Sequence, residues 1–272
     1  MTLLKYKMTH DLLFKMLFVK YPDLLRKLVA VLLDINLDEI TEFVITNPEI
    51  PPESLGDKYC RLDINMIVNG QRVDLEVQVE SEGNYPERSL FIWAKEFSTG
   101  ISMGQNYREL PRTIIISILG FNQFPNAEKY HHEFQCLEVT THAPLTDKMT
   151  LHFYELKKLP PIGEKDNHKD LWLKLFKAET EEDLKEIERL EVPDMNEALQ
   201  AYRHVAASGE FKERERLWAK ARHDEAQALS NARQQEREHW QGVMASLVAE
   251  KDAENEQLRL QLAQLQSQIN KG

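Results

Sequence analysis

Cysteine is scarce: Cys60 and Cys136 are the only two in 272 residues, and no Cys-x-x-Cys spacing occurs. That count disfavours both a structural zinc site and a disulfide framework. No apolar run approaches the roughly 20 residues that a bilayer span requires, and no internal repeat of fixed period is present. Residues 1–7 carry neither the apolar stretch nor the small-residue cleavage site of a secretion leader, so the expectation is a cytoplasmic protein without a membrane. Positive charge is also in deficit. Lys and Arg number 34 against 45 Asp and Glu, for a net charge of −11. The deficit is spread evenly, −5 over residues 1–160 and −6 beyond. Affinity for a polyanion comes mostly from neutralised phosphates. An acidic chain therefore meets nucleic acid only through a local basic surface or bound divalent cations.

What is present reads as mixed helix and strand. Over residues 8–33, Leu12, Leu13, Met16, Leu17, Leu24, Leu25, Leu28, Val29 and Leu32 recur at three- and four-residue steps, the period of a helix with one apolar face. Thr9 or Asp11 is the expected cap, and Pro22 kinks this helix or starts a second one. Residues 39–46 have strand character, and the loop 47–57, with Pro48, Pro51, Pro52 and Gly56, interrupts regular structure. A helix is expected over 88–107, and strands over 112–119, 132–140 and 149–156. Beyond Pro160-Pro161, helices are expected over 169–190, 195–207 and from 211 to the end.

The pattern between residues 61 and 80 carries the most information. Leu62, Ile64, Met66 and Val68 alternate with Arg61, Asp63 and Asn65; after Asn69-Gly70, Val73, Leu75, Val77 and Val79 alternate with Arg72, Asp74, Glu76, Gln78 and Glu80. Asn-Gly between alternating runs predicts a two-residue type I′ hairpin, since both central residues need positive φ. That turn fixes the register: Val68 opposite Gln71, Met66 opposite Val73, Ile64 opposite Leu75 and Leu62 opposite Val77. On the polar face it pairs Asn65 with Asp74, Asp63 with Glu76 and Arg61 with Gln78. Two facing carboxylates repel by up to about 1 kcal/mol in a solvated sheet, whereas a hard divalent cation turns that proximity to use. The plainer reading is an acidic outer face on an antiparallel hairpin.

Asp63, followed after a gap by Glu76-Val77-Gln78, resembles the PD-(D/E)xK nuclease motif in the variant where Gln replaces the final Lys. Asp11-Leu12-Leu13-Phe14-Lys15-Met16-Leu17-Phe18, Arg88-Ser89-Leu90, Gly104-Gln105-Asn106-Tyr107 and the strand 113–119 extend the likeness. In order and spacing, they resemble the Rpn family of recombination-promoting nucleases, a family also labelled as transposases. The resemblance covers about residues 8–156. It implies a restriction-endonuclease-like α/β fold with an αβββαβ core in a nuclease domain over 1–160, leaving 161–210 as a helical extension and 211–272 as a charged helix. By the same resemblance, Asp63, Glu76 and Gln78 are catalytic. Asp63, Glu76 and the Val77 backbone carbonyl hold Mg²⁺ or Mn²⁺, and the substrate is DNA. Asp11 is a further candidate ligand, its other reading being an ion pair with Lys15 one turn on.

Arg88 is the leading candidate for a phosphate contact, with Lys58 and Tyr107 behind it; Lys95, Arg108 and Arg112 read equally well as solvated charge. His131-His132 is not read as a metal site, because adjacent strand residues point to opposite faces. In the last segment, Leu258, Leu262, Leu265 and Ile269 follow four–three–four spacing, the seam of a short coiled coil. Glu254 and Lys251 interrupt that seam, so a homodimer through this helix and a single solvated helix both remain open. Two functional readings follow: a metal-dependent endonuclease, and a nuclease-fold binding module without strong catalysis that assembles through its C-terminal helices.

Overall fold

The computed structural model describes residues 2–49, 63–81, 83–163 and 166–269. The loop from residue 50 onward, the Arg61–Gln78 and Leu62–Val77 pairings, and Lys58 lie outside the described residues. By compactness the described residues divide into a first unit up to residue 216 and a second from residue 217.

The first unit opens with two helices, α1 (Asp11–Lys20) and α2 (Pro22–Leu32). Pro22 starts the second one, where its missing N–H costs nothing. The cap of α1 is neither Thr9 nor Asp11 but His10, whose Nδ1 accepts from the Leu13 N–H. Strand β1 (Phe43–Ile45) follows, then the hairpin β2 (Ile64–Val68) and β3 (Gln71–Gln78), helix α3 (Tyr85–Ser98), and strands β4 (Thr113–Leu119), β5 (His131–Phe134) and β6 (Met149–Glu155). The six strands form one sheet in the order β1-β2-β3-β4-β6-β5. Three of its pairings are antiparallel; β3–β4 and β4–β6 are parallel. The element order agrees with the αβββαβ core that the resemblance implies, with one helix added near the start and two strands beyond β4.

The hairpin register is the one that Asn69-Gly70 demands. Ile64 pairs with Leu75, Asn65 with Asp74, Met66 with Val73 and Val68 with Gln71. Asn69 and Gly70 have φ of 49° and 74°, as a type I′ turn requires. Asn69 also ties the turn to the chain before β1, its Oδ1 accepting from the N–H groups of Thr41 and Glu42.

Both sheet faces are covered. Alternation sends Ile64, Met66, Leu75, Ile116 and Tyr154 to one face, where the Tyr154 hydroxyl donates to the Leu32 carbonyl of α2. The other face meets α3: Tyr85 packs with Ile115, Leu119, Phe121, Leu151 and Phe153, joined by Ile92 and Trp93. The polar side of β3 is therefore no solvated outer face. It lies under a helix, which overturns the plainer reading of its carboxylates. Arg72 holds the far end of α3, donating to Thr99 Oγ1 at 2.7 Å and to the Thr99 carbonyl at 3.1 Å.

Several expected elements differ in extent. The helix over 88–107 is instead Tyr85–Ser98, because Thr99-Gly100 stops it; Tyr107 falls in a separate 3-10 turn, Tyr107–Glu109. The strand over 132–140 is only His131–Phe134. The single helix over 169–190 is two, α4 (His168–Lys177) and α5 (Glu181–Glu188). A capping box of Thr180 and Asp183 starts the second, a local bond pattern that outweighs continued helical periodicity. Helix α6 (Pro193–Ala207) follows. Phe14 and Phe18 of α1 pack against Phe176 of α4, with ring centroids 6.1 and 6.3 Å apart.

Helix α7 runs Gly209–Ile269. Within the second unit Leu258, Leu262 and Leu265 are 50%, 59% and 56% exposed, so the seam faces solvent in a single chain. Among the described residues no helix is long and apolar enough to cross a membrane.

Candidate active site

Asp63 is the residue before β2, and the hairpin register carried one step past Ile64–Leu75 sets it level with Glu76. Its backbone carbonyl accepts from Lys15 Nζ at 2.8 Å and from Asn47 Nδ2 at 3.2 Å. Lys15 also donates to the Asn47 carbonyl. A lysine on the apolar face of α1, 2% exposed, thus fixes the backbone from which Asp63 projects. Burial holds the Lys15 ammonium below its usual range, while the charges of Asp63, Glu49 and Asp74 oppose that shift.

Glu76 sits in β3 and is buried. The parallel pairing of β3 with β4 sets Ser117 beside it, and α3 brings Tyr85 down onto both. The Tyr85 hydroxyl lies 3.1 Å from Glu76 Oε2 and 2.9 Å from Ser117 Oγ. One hydroxyl has one proton. The arrangement that satisfies all three has Ser117 donating to Tyr85 and Tyr85 donating to the carboxylate. Burial, then the charge of Glu76, pushes the Tyr85 phenol well above its usual range, so it stays a donor. Arg88, one turn along α3, sets Nη2 3.5 Å from the same Glu76 oxygen, while its Nη1 donates to Gln78 Oε1 at 3.3 Å. The other end of Gln78 is also engaged, Nε2 donating to the Glu80 carbonyl at 3.0 Å.

Peptide groups alternate sides along a strand. The Gln78 carbonyl accepts from the Gly120 N–H on the β4 side, so the Val77 carbonyl points to the β2 side, where Asp63 lies. At the same crossing a Cβ on Gly120 would come within 3.0 Å of the Val79 carbonyl oxygen, which only glycine avoids.

A third carboxylate belongs to this cluster. Asp74 is 2% exposed, and burial followed by the charges of Asp63, Glu76 and Glu96 raises its pKa well above the usual range, Lys15 opposing. Its Oδ2 has no hydrogen-bond partner among the described residues. Carboxyl groups are thus concentrated on one hairpin face, with Lys15 and Arg88 as the cations in contact with that cluster. The oxygen donors are the kind a hard divalent cation selects, so the residues suit such an ion. Among the described residues no group of three or more His, Cys, Asp or Glu side chains converges as a metal-holding set. Two carboxylates with a backbone carbonyl, the set under consideration, fall below that number.

The remaining residues singled out by the sequence pattern divide. Arg88 lies in the cluster. Asp11 is exposed in the first turn of α1. Tyr107 is 80% exposed in its 3-10 turn, and Arg112 reaches Thr150 Oγ1 at 2.9 Å. The two histidines do face opposite ways: His131 stacks on Tyr154, while His132 lies 3.2 Å from buried Glu155. Four members of the cluster, Lys15, Asp74, Tyr85 and Ser117, are not marked as site residues by the sequence pattern. Ser117 leaves a trace there, as the one hydroxyl in an otherwise apolar run of Ile and Leu; Lys15 leaves a weaker one, within a Leu- and Phe-rich helix.

A model of the PD-(D/E)XK nuclease family transposases matches residues 8–232. No curated protein and no solved structure gives a match.

Proposed function

The chain belongs to the PD-(D/E)XK nuclease family transposases, and we propose that it is a divalent-cation-dependent DNA endonuclease centred on Asp63, Glu76 and Gln78. The observation that carries this reading is the carboxylate cluster itself: Asp74 and Glu76 are buried on one hairpin face with Asp63 alongside, an arrangement that sheet packing alone penalises. Asp63, Glu76 and the Val77 carbonyl would hold Mg²⁺ or Mn²⁺. Such an ion supplies an acidified water and offsets charge on a phosphate.

The remaining work falls to the chain's own groups. Tyr85, backed by Ser117, fixes Glu76 Oε2. Lys15 and Asn47 fix the Asp63 backbone. Arg88 is the cation placed to exchange Glu76 and Gln78 for a phosphate oxygen. Gln78 orients water or phosphate by hydrogen bonding, but it brings neither positive charge nor a transferable proton.

A second reading, a DNA-binding module with little turnover, draws on Gln78: it replaces the motif's lysine and spends both ends of its amide on Arg88 and Glu80. Nicking of supercoiled plasmid separates the two. The first reading expects cleavage with Mg²⁺ or Mn²⁺ that EDTA, Asp63→Ala and Glu76→Ala each abolish. DNA binding without cleavage by the wild type favours the second, and cleavage indifferent to both substitutions refutes the first.

We further propose residues 1–160 as the nuclease domain, 161–210 as its helical extension and 211–272 as an assembly helix pairing as a coiled coil along Leu258, Leu262 and Leu265. A homodimer would bring two centres to the two strands of a duplex. A light-scattering mass of one chain refutes the pairing.

A further inference from the structure

Asn65 stands opposite Asp74 in the β2–β3 ladder, and Asp63 is its neighbour two residues back, the spacing that shares a face of a strand. With its amide turned so that nitrogen meets the carboxylates, Asn65 donates to Asp63 Oδ2 at 3.1 Å and to Asp74 Oδ1 at 2.9 Å. The opposite orientation would set the amide oxygen against two carboxylate oxygens. An asparagine amide has two N–H groups, and here each has its own carboxylate.

The main chain is held in parallel. The Asn65 N–H donates to Asn47 Oδ1 at 2.8 Å, while Asn47 Nδ2 donates back to the Asp63 carbonyl. Behind Asp74 lies a cavity of about 110 Å³, lined by Asn65, Arg72, Asp74, Glu96 and Thr113 among others. Asp74 Oδ2 and Thr113 Oγ1 are buried without hydrogen-bond partners among the described residues.

We propose that Asn65 is a positioning residue for Asp63: braced on Asp74, it fixes one carboxylate oxygen of Asp63 so that the group is set in advance for a divalent cation. This rests on the cation-binding reading above. Outer partners that orient a metal ligand typically change affinity about 10- to 100-fold when removed.

The test is direct Mn²⁺ binding to the full chain, read from the electron paramagnetic resonance signal of free Mn²⁺, alongside urea unfolding without metal. Wild type is expected to bind and Asp63→Ala to lose binding. Asn65→Ala should weaken Mn²⁺ binding about tenfold or more, and Asn65→Thr, with one donor for two carboxylates, should fall between. A purely structural role would lower the urea midpoint and leave the affinity of the folded protein unchanged; wild-type affinity in Asn65→Ala, with Asp63→Ala defective, overturns the proposal alone. Should Asn65→Ala not fold, Asn65→Thr decides in the same way, weakened binding supporting the proposal and wild-type affinity overturning it. A wild type that binds no Mn²⁺, or an Asp63→Ala that binds normally, removes the cation-binding reading and this proposal together.

Discussion

Replacing Tyr85 with Phe removes one oxygen atom from the buried centre and leaves the ring in place. The ring packs edge-on to Phe121 and Phe153, with centroids 6.1 and 6.2 Å away, and those contacts survive. What is lost is the hydrogen bond to Glu76 Oε2 and the acceptor for Ser117. A hydrogen bond to a charged group contributes about 1.5–3 kcal/mol net, and an orphaned buried polar atom costs about 1–3 kcal/mol. Arg88 remains 3.5 Å from the same oxygen and offsets part of the loss, so the expected destabilisation is about 2 kcal/mol. In a unit of this size that corresponds to roughly 4–8 °C in Tm. The assay is urea unfolding followed by circular dichroism, with Ser117→Ala and the double variant completing a cycle. Because serine and tyrosine act in series, the double variant should cost clearly less than the two single losses added, with a coupling of about 1 kcal/mol. A Tyr85→Phe protein within about 0.5 kcal/mol of wild type, or strictly additive losses, would refute the chain from Ser117 through Tyr85 to Glu76.

Two further predictions concern other parts of the first unit. Lys15→Met keeps the length and apolar stem of the side chain but orphans the Asn47 carbonyl and leaves the Asp63 carbonyl to Asn47 Nδ2 alone; a loss of about 2–4 kcal/mol is expected in urea unfolding, and a neutral outcome would mean that α1 does not anchor the hairpin. His152 is buried, stacked with His131, and held by burial at a pKa of about 4. The unfolded chain protonates this group first, so folding stability should fall as pH drops from about 6.5 towards 4, by up to about 3 kcal/mol from His152; His152→Gln should reduce that slope to what His131, also held down by burial, contributes, and an unchanged slope contradicts the assignment.

The hairpin was legible because Asn69-Gly70 is a local signal: two residues fix the turn, the turn fixes the register, and the register aligns Asn65 with Asp74 and Ile64 with Leu75. The parallel join of β3 to β4 was not legible. Its register is set by how α3 packs across the sheet, and no local pattern announces that Ser117 will lie beside Glu76. The same long-range packing hid the burial of the polar face. Alternating Asp, Glu and Gln on β3 look solvated until Tyr85 and its helix are laid over them. Lys15 escapes detection for a related reason, since helical periodicity marks a face as buried without saying that an ammonium there has two carbonyls to reach. The break between α4 and α5 was missed in the expectation of one helix over 169–190, although Thr180 and Asp183 form a capping pair within a run that otherwise keeps helical character.

The central claim is that Asp63 and Glu76 together hold one divalent cation. A crystal of the full chain soaked in Mn²⁺, with its anomalous scattering located, tests this most directly. The account predicts a peak shared by the two carboxylates and the Val77 carbonyl, absent from an Asp63→Ala crystal. A peak elsewhere on the surface, or none at this hairpin while Mn²⁺ is otherwise bound, would contradict it.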